Sequence, residues 1–116
     1  MRDRASDERV IYEVNLAVHP DAVEELMAWL PGHIREVLAC DGFLDAEWFD
    51  AGPDEAGAAQ FSVRYTLRDR TALDAYFAGP AAALRAEGQA RFGGRFTATR
   101  RVMRRVGAWD DVKGEG

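Results

Sequence analysis

The chain has 116 residues, one domain's worth, with 47% hydrophobic and 30% charged residues, the composition of an ordinary soluble globular protein. A net charge of −5 and a pI near 5.0 argue against general nucleic-acid or anionic-membrane binding, which need basic surface. The lone Cys40 excludes an internal disulfide and fits a reducing compartment. No apolar run approaches the roughly 18 residues of a membrane span, and "MRDRASDER" is too polar for a signal peptide, so a cytoplasmic protein is expected.

Residues 1–8 are mixed in charge and expected to be flexible. "RVIYEVNLAV" then alternates: Val10, Tyr12, Val14, Leu16 and Val18 fall on one side, Glu13 and Asn15 on the other, which predicts a half-buried strand. "HP" ends it, with Pro20 at an early helical position. From Asp21 to about Cys40, Val23, Leu26, Met27, Leu30, Ile34, Val37 and Leu38 recur at three and four, the spacing of an amphipathic helix. Pro31-Gly32 interrupts its chemistry but not its phase, which predicts one bent helix and not two. Gly42 supplies the stop.

"FLDAEWF" and "AQFSVRYTLRD" read as two strands around the Gly/Pro/Asp loop "DAGPDEAG", hence a hairpin. Pairing Trp48 with Phe61, Ala46 with Val63 and Leu44 with Tyr65 puts all six on the helix side and sets Asp45 opposite Arg64. Thr71 and Asp74 have capping-box spacing, with Asp69 the alternative cap. A second helix carries Leu73, Tyr76, Phe77, Leu84 and Phe92; it is interrupted at Gly79-Pro80 and stopped by Gly93-Gly94. "RFTATRRVMRRV" is the last strand, and 107–116 an expected flexible tail. One α+β domain over 9–106 follows, of ferredoxin-like β-α-β-β-α-β order: a four-stranded antiparallel sheet with both helices on one face.

"VIYEVNLAVHPDAVEELMAWLPGHIREVLACDGFLDAEWF", "VRYTLRDRTALDAYF" and "LRAEGQARFGGRFTATRRV" resemble a bacterial family of unknown function in the dimeric α/β-barrel superfamily, related to the antibiotic-biosynthesis monooxygenases. The resemblance covers roughly Val10 to Val106. It implies a homodimer whose sheets meet face to face, with a ligand pocket between sheet and helices of each subunit. Pro31-Gly32 departs from the helix formers expected between the Trp and the His. Haem-degrading members use an Asn on the first strand, a Trp on the third and a His on the second helix. Here only Asn15 offers a match, and a one-residue shift replaces it with Val14. Leu67 stands near the Trp position and the second helix has no His, so haem degradation is unsupported.

Trp29 and His33 lie four apart on one edge of the helix stripe. They read either as an aromatic wall with a proton-handling imidazole at a pocket rim or as plain packing. Tyr12, Trp48, Tyr65 and Tyr76 project into the same layer, as pocket lining with polar handles or as filled core. Tyr12 and Tyr65 join His33 as candidate catalytic groups; Trp29, Trp48, Tyr76 and Arg100 are candidate ligand contacts. Arg100 shares parity with Phe96, Ala98 and Val102, so either a bulge turns it outward or it enters the pocket layer as an anion-binding group. The other basic groups of the last strand, Arg95, Arg101, Arg104 and Arg105, read as ion-pair partners.

His19 reads as a solvent-facing or weakly capping residue and Cys40 as a small hydrophobe. Two histidines and one cysteine without ligand-like spacing predict no metal site, and no phosphate-binding glycine loop or other cofactor motif is present. The expected open sheet face (Glu13, Asn15, Ser62, Arg64, Thr66) lacks the stacking aromatics of an RNA-binding sheet on its central strands. The expected function is binding of a small aromatic or amphipathic molecule by a homodimer. The alternatives are a cofactor-independent monooxygenase or isomerase, and a non-catalytic dimer with a filled core.

Overall fold

The computed structural model describes residues 8–110. The ends expected to be flexible, 1–8 and 107–116, lie outside the described residues except for Glu8 and 107–110. The elements are β1 (Val10–Val18), a single 3₁₀ turn (Pro20–Ala22), α1 (Val23–Leu38), β2 (Phe43–Pro53), β3 (Ala59–Leu67), α2 (Arg70–Ala78), α3 (Ala81–Phe92), a 3₁₀ turn (Gly93–Arg95) and β4 (Phe96–Arg104). The four strands form one antiparallel sheet in the order β2-β3-β1-β4. This is the ferredoxin-like α+β fold.

Strand alternation decides the two faces of the sheet. Val10, Tyr12, Leu16 and Val18 of β1 and Phe61, Val63, Tyr65 and Leu67 of β3 are buried beneath the helices. Leu26, Leu30 and Val37 of α1 close on them, as do Leu73 and Tyr76 of α2. The helix α1 is continuous through Pro31, as its unbroken apolar phase predicts. Pro31 removes one backbone donor, at a cost of about 3 kcal/mol in an isolated helix, which burial of Leu26, Leu30 and Val37 along the helix can offset. The expected second helix divides at Gly79-Pro80 into α2 and α3, because Pro80 has no N–H to continue the ladder. Asp69, not the Thr71–Asp74 box, caps α2: its Oδ1 accepts from the Ala72 N–H at 2.9 Å, while Asp74 pairs with Arg70.

The hairpin register differs from the expected one by two residues. Ala46 stands opposite Tyr65, Trp48 opposite Val63 and Glu47 opposite Arg64, and an irregularity between Phe43 and Asp45 leaves Leu44 out of the ladder. Leu44 is therefore exposed, and Phe43 takes its expected place against Tyr65 and Tyr76. A shift of two preserves the faces, so Ala46 and Trp48 still point to the helices. The physical reason is the turn: Asp54 Oδ1 accepts from the N–H groups of Ala56 and Ala58, both at 2.9 Å, which fixes the loop around Gly57.

On the opposite face, the Glu13 carboxylate is 3% exposed. It accepts from Arg64 Nε at 3.1 Å, Arg101 Nε at 3.2 Å and Asn15 Nδ2 at 3.0 Å, and Ser62 Oγ donates to Asn15 Oδ1. Arg64 thus pairs with Glu13, not Asp45. Burial alone would raise the Glu13 pKa, but the bonds from Asn15, Arg101 and Arg64 outweigh it and hold the carboxyl below its usual range.

Candidate functional site: a cavity between sheet and helices

A cavity lies between the sheet and α1, α2 and α3, with a volume of about 60 Å³. Its floor comes from alternate residues of β1 (Tyr12, Val14, Leu16), with Val63 and Tyr65 of β3 and Phe96 and Arg100 of β4. The helices contribute Leu30, Trp29 and His33 of α1, Tyr76 of α2, and Leu84, Arg85 and Gly88 of α3. β3, β1 and β4 provide the floor, and the sheet order puts β2 at the far edge. Trp48, on that edge strand, lies outside the lining and packs against Phe61 with ring centroids 6.2 Å apart. Trp48, an expected ligand contact, is therefore not part of this cavity's lining.

At one end of the cavity Trp29 and His33 stack, with centroids 4.5 Å apart and rings 22° from parallel. Phe92 meets Trp29 edge-on at 5.4 Å. Gly88 lies beside this pair, and a Cβ there would meet the Trp29 ring at 3.4 Å and the Phe96 ring at 3.6 Å, ordinary van der Waals contact. At the other end Tyr12 stacks on Tyr65 at 6.0 Å and meets Tyr76 at 5.9 Å. Arg85 reaches in from α3: its Nη2 donates to the Tyr12 hydroxyl oxygen at 3.1 Å and its guanidinium lies over Phe77.

The β1–β4 ladder runs without a bulge, and Arg100 stands opposite Val14. Arg100 therefore takes the inward alternative and lines the cavity beside Arg85. The remaining basic groups divide: Arg101 joins Glu13, and Arg95 pairs with Glu25 of α1 at 3.5 Å. Arg104 and Arg105 border a groove on the opposite face with Ile11 and Met103. Asn15 also lies on that opposite face, bonded to Glu13 and Ser62, while Val14 faces the cavity. His19 is exposed and its Nδ1 accepts from the Asp21 N–H at 3.2 Å. Cys40 is half-buried, and burial raises its thiol pKa.

The electrostatics separate the candidate proton-handling groups. Burial pulls His33 below its usual pKa; Glu36 opposes this and Arg100 adds to it. Its Nδ1 is buried without a hydrogen-bond partner. Burial pushes Tyr76 up to about 12, with Tyr12 adding to the rise, and burial with its two tyrosine neighbours raises Tyr65 further. Near neutrality His33 is thus a neutral imidazole able to accept a proton, and the two tyrosines are donors held in their neutral form.

Sequence reasoning missed Arg85, Leu84 and Gly88. Their helix carries a weak apolar pattern, so no periodicity marks the face it turns to the sheet; only the Arg85 partner, 73 residues away, marks its role. It also missed Glu36 and Glu87, which gather beside His33.

Solved structures with this architecture cover almost the whole chain. SnoaB, a cofactor-independent oxygenase from Streptomyces nogalater, is 16% identical, with a TM-score of 0.63 over 87% of this chain and 96% of its own. Rv0793 from Mycobacterium tuberculosis is 21% identical, with a TM-score of 0.63 over 88% of this chain and 99% of its own. MhuD from the same organism, a heme-degrader solved with two hemes in its active site, is 22% identical, with a TM-score of 0.62 over 87% and 99%. A comparison with curated proteins gives no match. What these structures share with the chain is the ferredoxin-like fold, which a putative antibiotic biosynthesis monooxygenase from Deinococcus radiodurans also has, at 15% identity and a TM-score of 0.65 over 87% of this chain and 96% of its own. Residues 9–106 match the domain of unknown function DUF4286, and the chain belongs to that family.

Proposed function

We propose that the chain forms a homodimer, each subunit of which binds a small, mainly apolar molecule between sheet and helices. The observation that carries this reading is a buried, unpartnered His33 Nδ1 beside an apolar cavity. Leaving such an atom unpaired costs about 1–3 kcal/mol, which a ligand or water that bonds it recovers. Aromatic walls at Trp29, Tyr12, Tyr65 and Tyr76 suit a planar ring, and Arg85 and Arg100 suit an acidic or phenolic group on it.

Size restricts the ligand. The 60 Å³ cavity holds about four waters, and a cavity of about 150 Å³ is what takes up benzene. Even one ring therefore requires the site to widen. The element that can yield is α3, which buries only Ala81, Gly88 and Phe92 and is flanked by Gly79-Pro80 and Gly93-Gly94. A haem-sized ligand would need a far larger displacement. The single cysteine, unpaired, supports a reducing cytoplasmic setting.

The test is a melting-temperature screen of small phenols, aromatic acids and quinones against the full chain. Some compounds should raise Tm, since binding to the folded state alone stabilises it. Gly88→Ala should keep or slightly raise Tm, as alanine favours a helix by about 1 kcal/mol, while its methyl group abolishes the response. If no compound shifts Tm, the filled-core reading replaces this one.

One further reading has a specific observation behind it. His33 is positioned to take a proton from a bound substrate, while Tyr65 and Tyr76 stay protonated. This favours a cofactor-independent oxygenase or isomerase with His33 as base. On that reading His33→Ala leaves Tm nearly unchanged and removes turnover of a compound that still binds.

A further inference from the structure

Beside the cavity, α1 and α3 bring three ligand-type side chains together. His33 and Glu36 are one turn apart on α1, and Glu87 faces them from α3. One ligating atom of each lies within 4.8 Å of the others. We propose that His33, Glu36 and Glu87 bind one divalent transition-metal cation at the edge of the cavity.

Three observations support the assignment. The donor set is one imidazole and two carboxylates, the mixed N/O chemistry that zinc, manganese, iron and cobalt accept and that magnesium and calcium sites seldom use. The carboxylates are left without a counter-charge: among the described residues, no arginine or lysine forms an ion pair with Glu36 or Glu87. The imidazole is held in place by its stack on Trp29, with ring centroids 4.5 Å apart.

The geometry asks for little movement. A tetrahedral shell with bonds of about 2.1 Å sets its donors about 3.4 Å apart. Both glutamates are exposed and can rotate to close the remaining gap. With three protein donors, at least one coordination position stays open, as in catalytic metal sites. Since His33 also lines the cavity, that position adjoins the space where a small ligand would sit. Metal and proton would compete for this imidazole, so a loaded site replaces base chemistry at His33 with Lewis-acid chemistry.

The test uses the full chain stripped of metal by chelation and needs no organic ligand, so its outcome is independent of the screen above. Calorimetric titration with zinc or manganese chloride should give one site per chain. Cobalt(II) should give the visible bands of a site with imidazole and carboxylate ligands. Glu36→Gln and Glu87→Gln, both at exposed positions, should keep the metal-free Tm and each weaken binding at least tenfold. His19→Ala should bind as the parent does. No binding by the parent protein, binding unchanged in both glutamine variants, or binding lost with His19 would each overturn the proposal.

Discussion

At the scale of single residues, the chain spends burial on polar groups in two places, with opposite outcomes. Glu13 is buried and fully partnered; His33 is half-buried, with its Nδ1 buried and unpartnered. The first is structural; the second is what motivates the proposed site, since an unmet buried group is one that a ligand or water can satisfy. Glu13 gives a pH prediction. Its folded pKa is depressed below 4.5, so its stabilisation is fully present above that value and is lost as pH falls through the folded pKa. Denaturant unfolding should show Glu13→Gln less stable by about 1–3 kcal/mol at pH 7. The gap should narrow toward pH 3; a gap constant with pH would show that the carboxylate charge does not matter. Of the site residues, Trp29 and His33 were legible because their spacing alone places them together on a helix. Arg85 and Glu87 were not, since their partners come from other elements.

At the scale of elements, the junction of α1 and β2 is the tightest local constraint. Gly42 has φ of +87°, and its carbonyl accepts from the Arg68 N–H at 2.8 Å. A Cβ there would collide with Ala72 of α2, whereas one at Gly57, also at positive φ, meets nothing. Gly57→Ala should therefore cost only backbone strain, about 1 kcal/mol, and Gly42→Ala on the order of 3 kcal/mol or more. Equal losses on thermal unfolding would refute the close packing of α2 on this turn. Elsewhere the helical phase was enough to predict that α1 runs through Pro31. The hairpin register was not predictable, because periodicity of two fixes faces but leaves shifts of two residues equivalent. The loop around Asp54 and the irregularity at Leu44 decided it.

For the whole molecule, the open question is the sheet face away from the helices. It carries the Glu13 network together with Ile11, Ala17, Phe49 and Met103, half-buried or exposed, and Arg64 lies over the Phe49 ring at 5.3 Å. Such a surface, part apolar and part ion-paired, suits a second copy of the same sheet. Sedimentation should give twice the chain mass of 12.9 kDa at micromolar concentration. Ile11→Asp, which sets a charge on the central strand β1 beside Met103, should shift the mass to one chain. A parent protein that sediments as a monomer would remove the dimer. Among the described residues no helix is long and apolar enough to cross a membrane.

The sequence alone determined the order of elements, the faces of the strands and helices, the fold class and the pairing of Trp29 with His33. These depend on local periodicity and on spacing within one element, both written directly in the chain. Tertiary structure alone decided the hairpin register, the inward turn of Arg100, the position of Trp48 outside the cavity lining, the reach of Arg85 to Tyr12 and the approach of Glu87 to His33 and Glu36. Those positions follow from how sheet order and helix packing bring together residues far apart in sequence, and no local pattern encodes that distance.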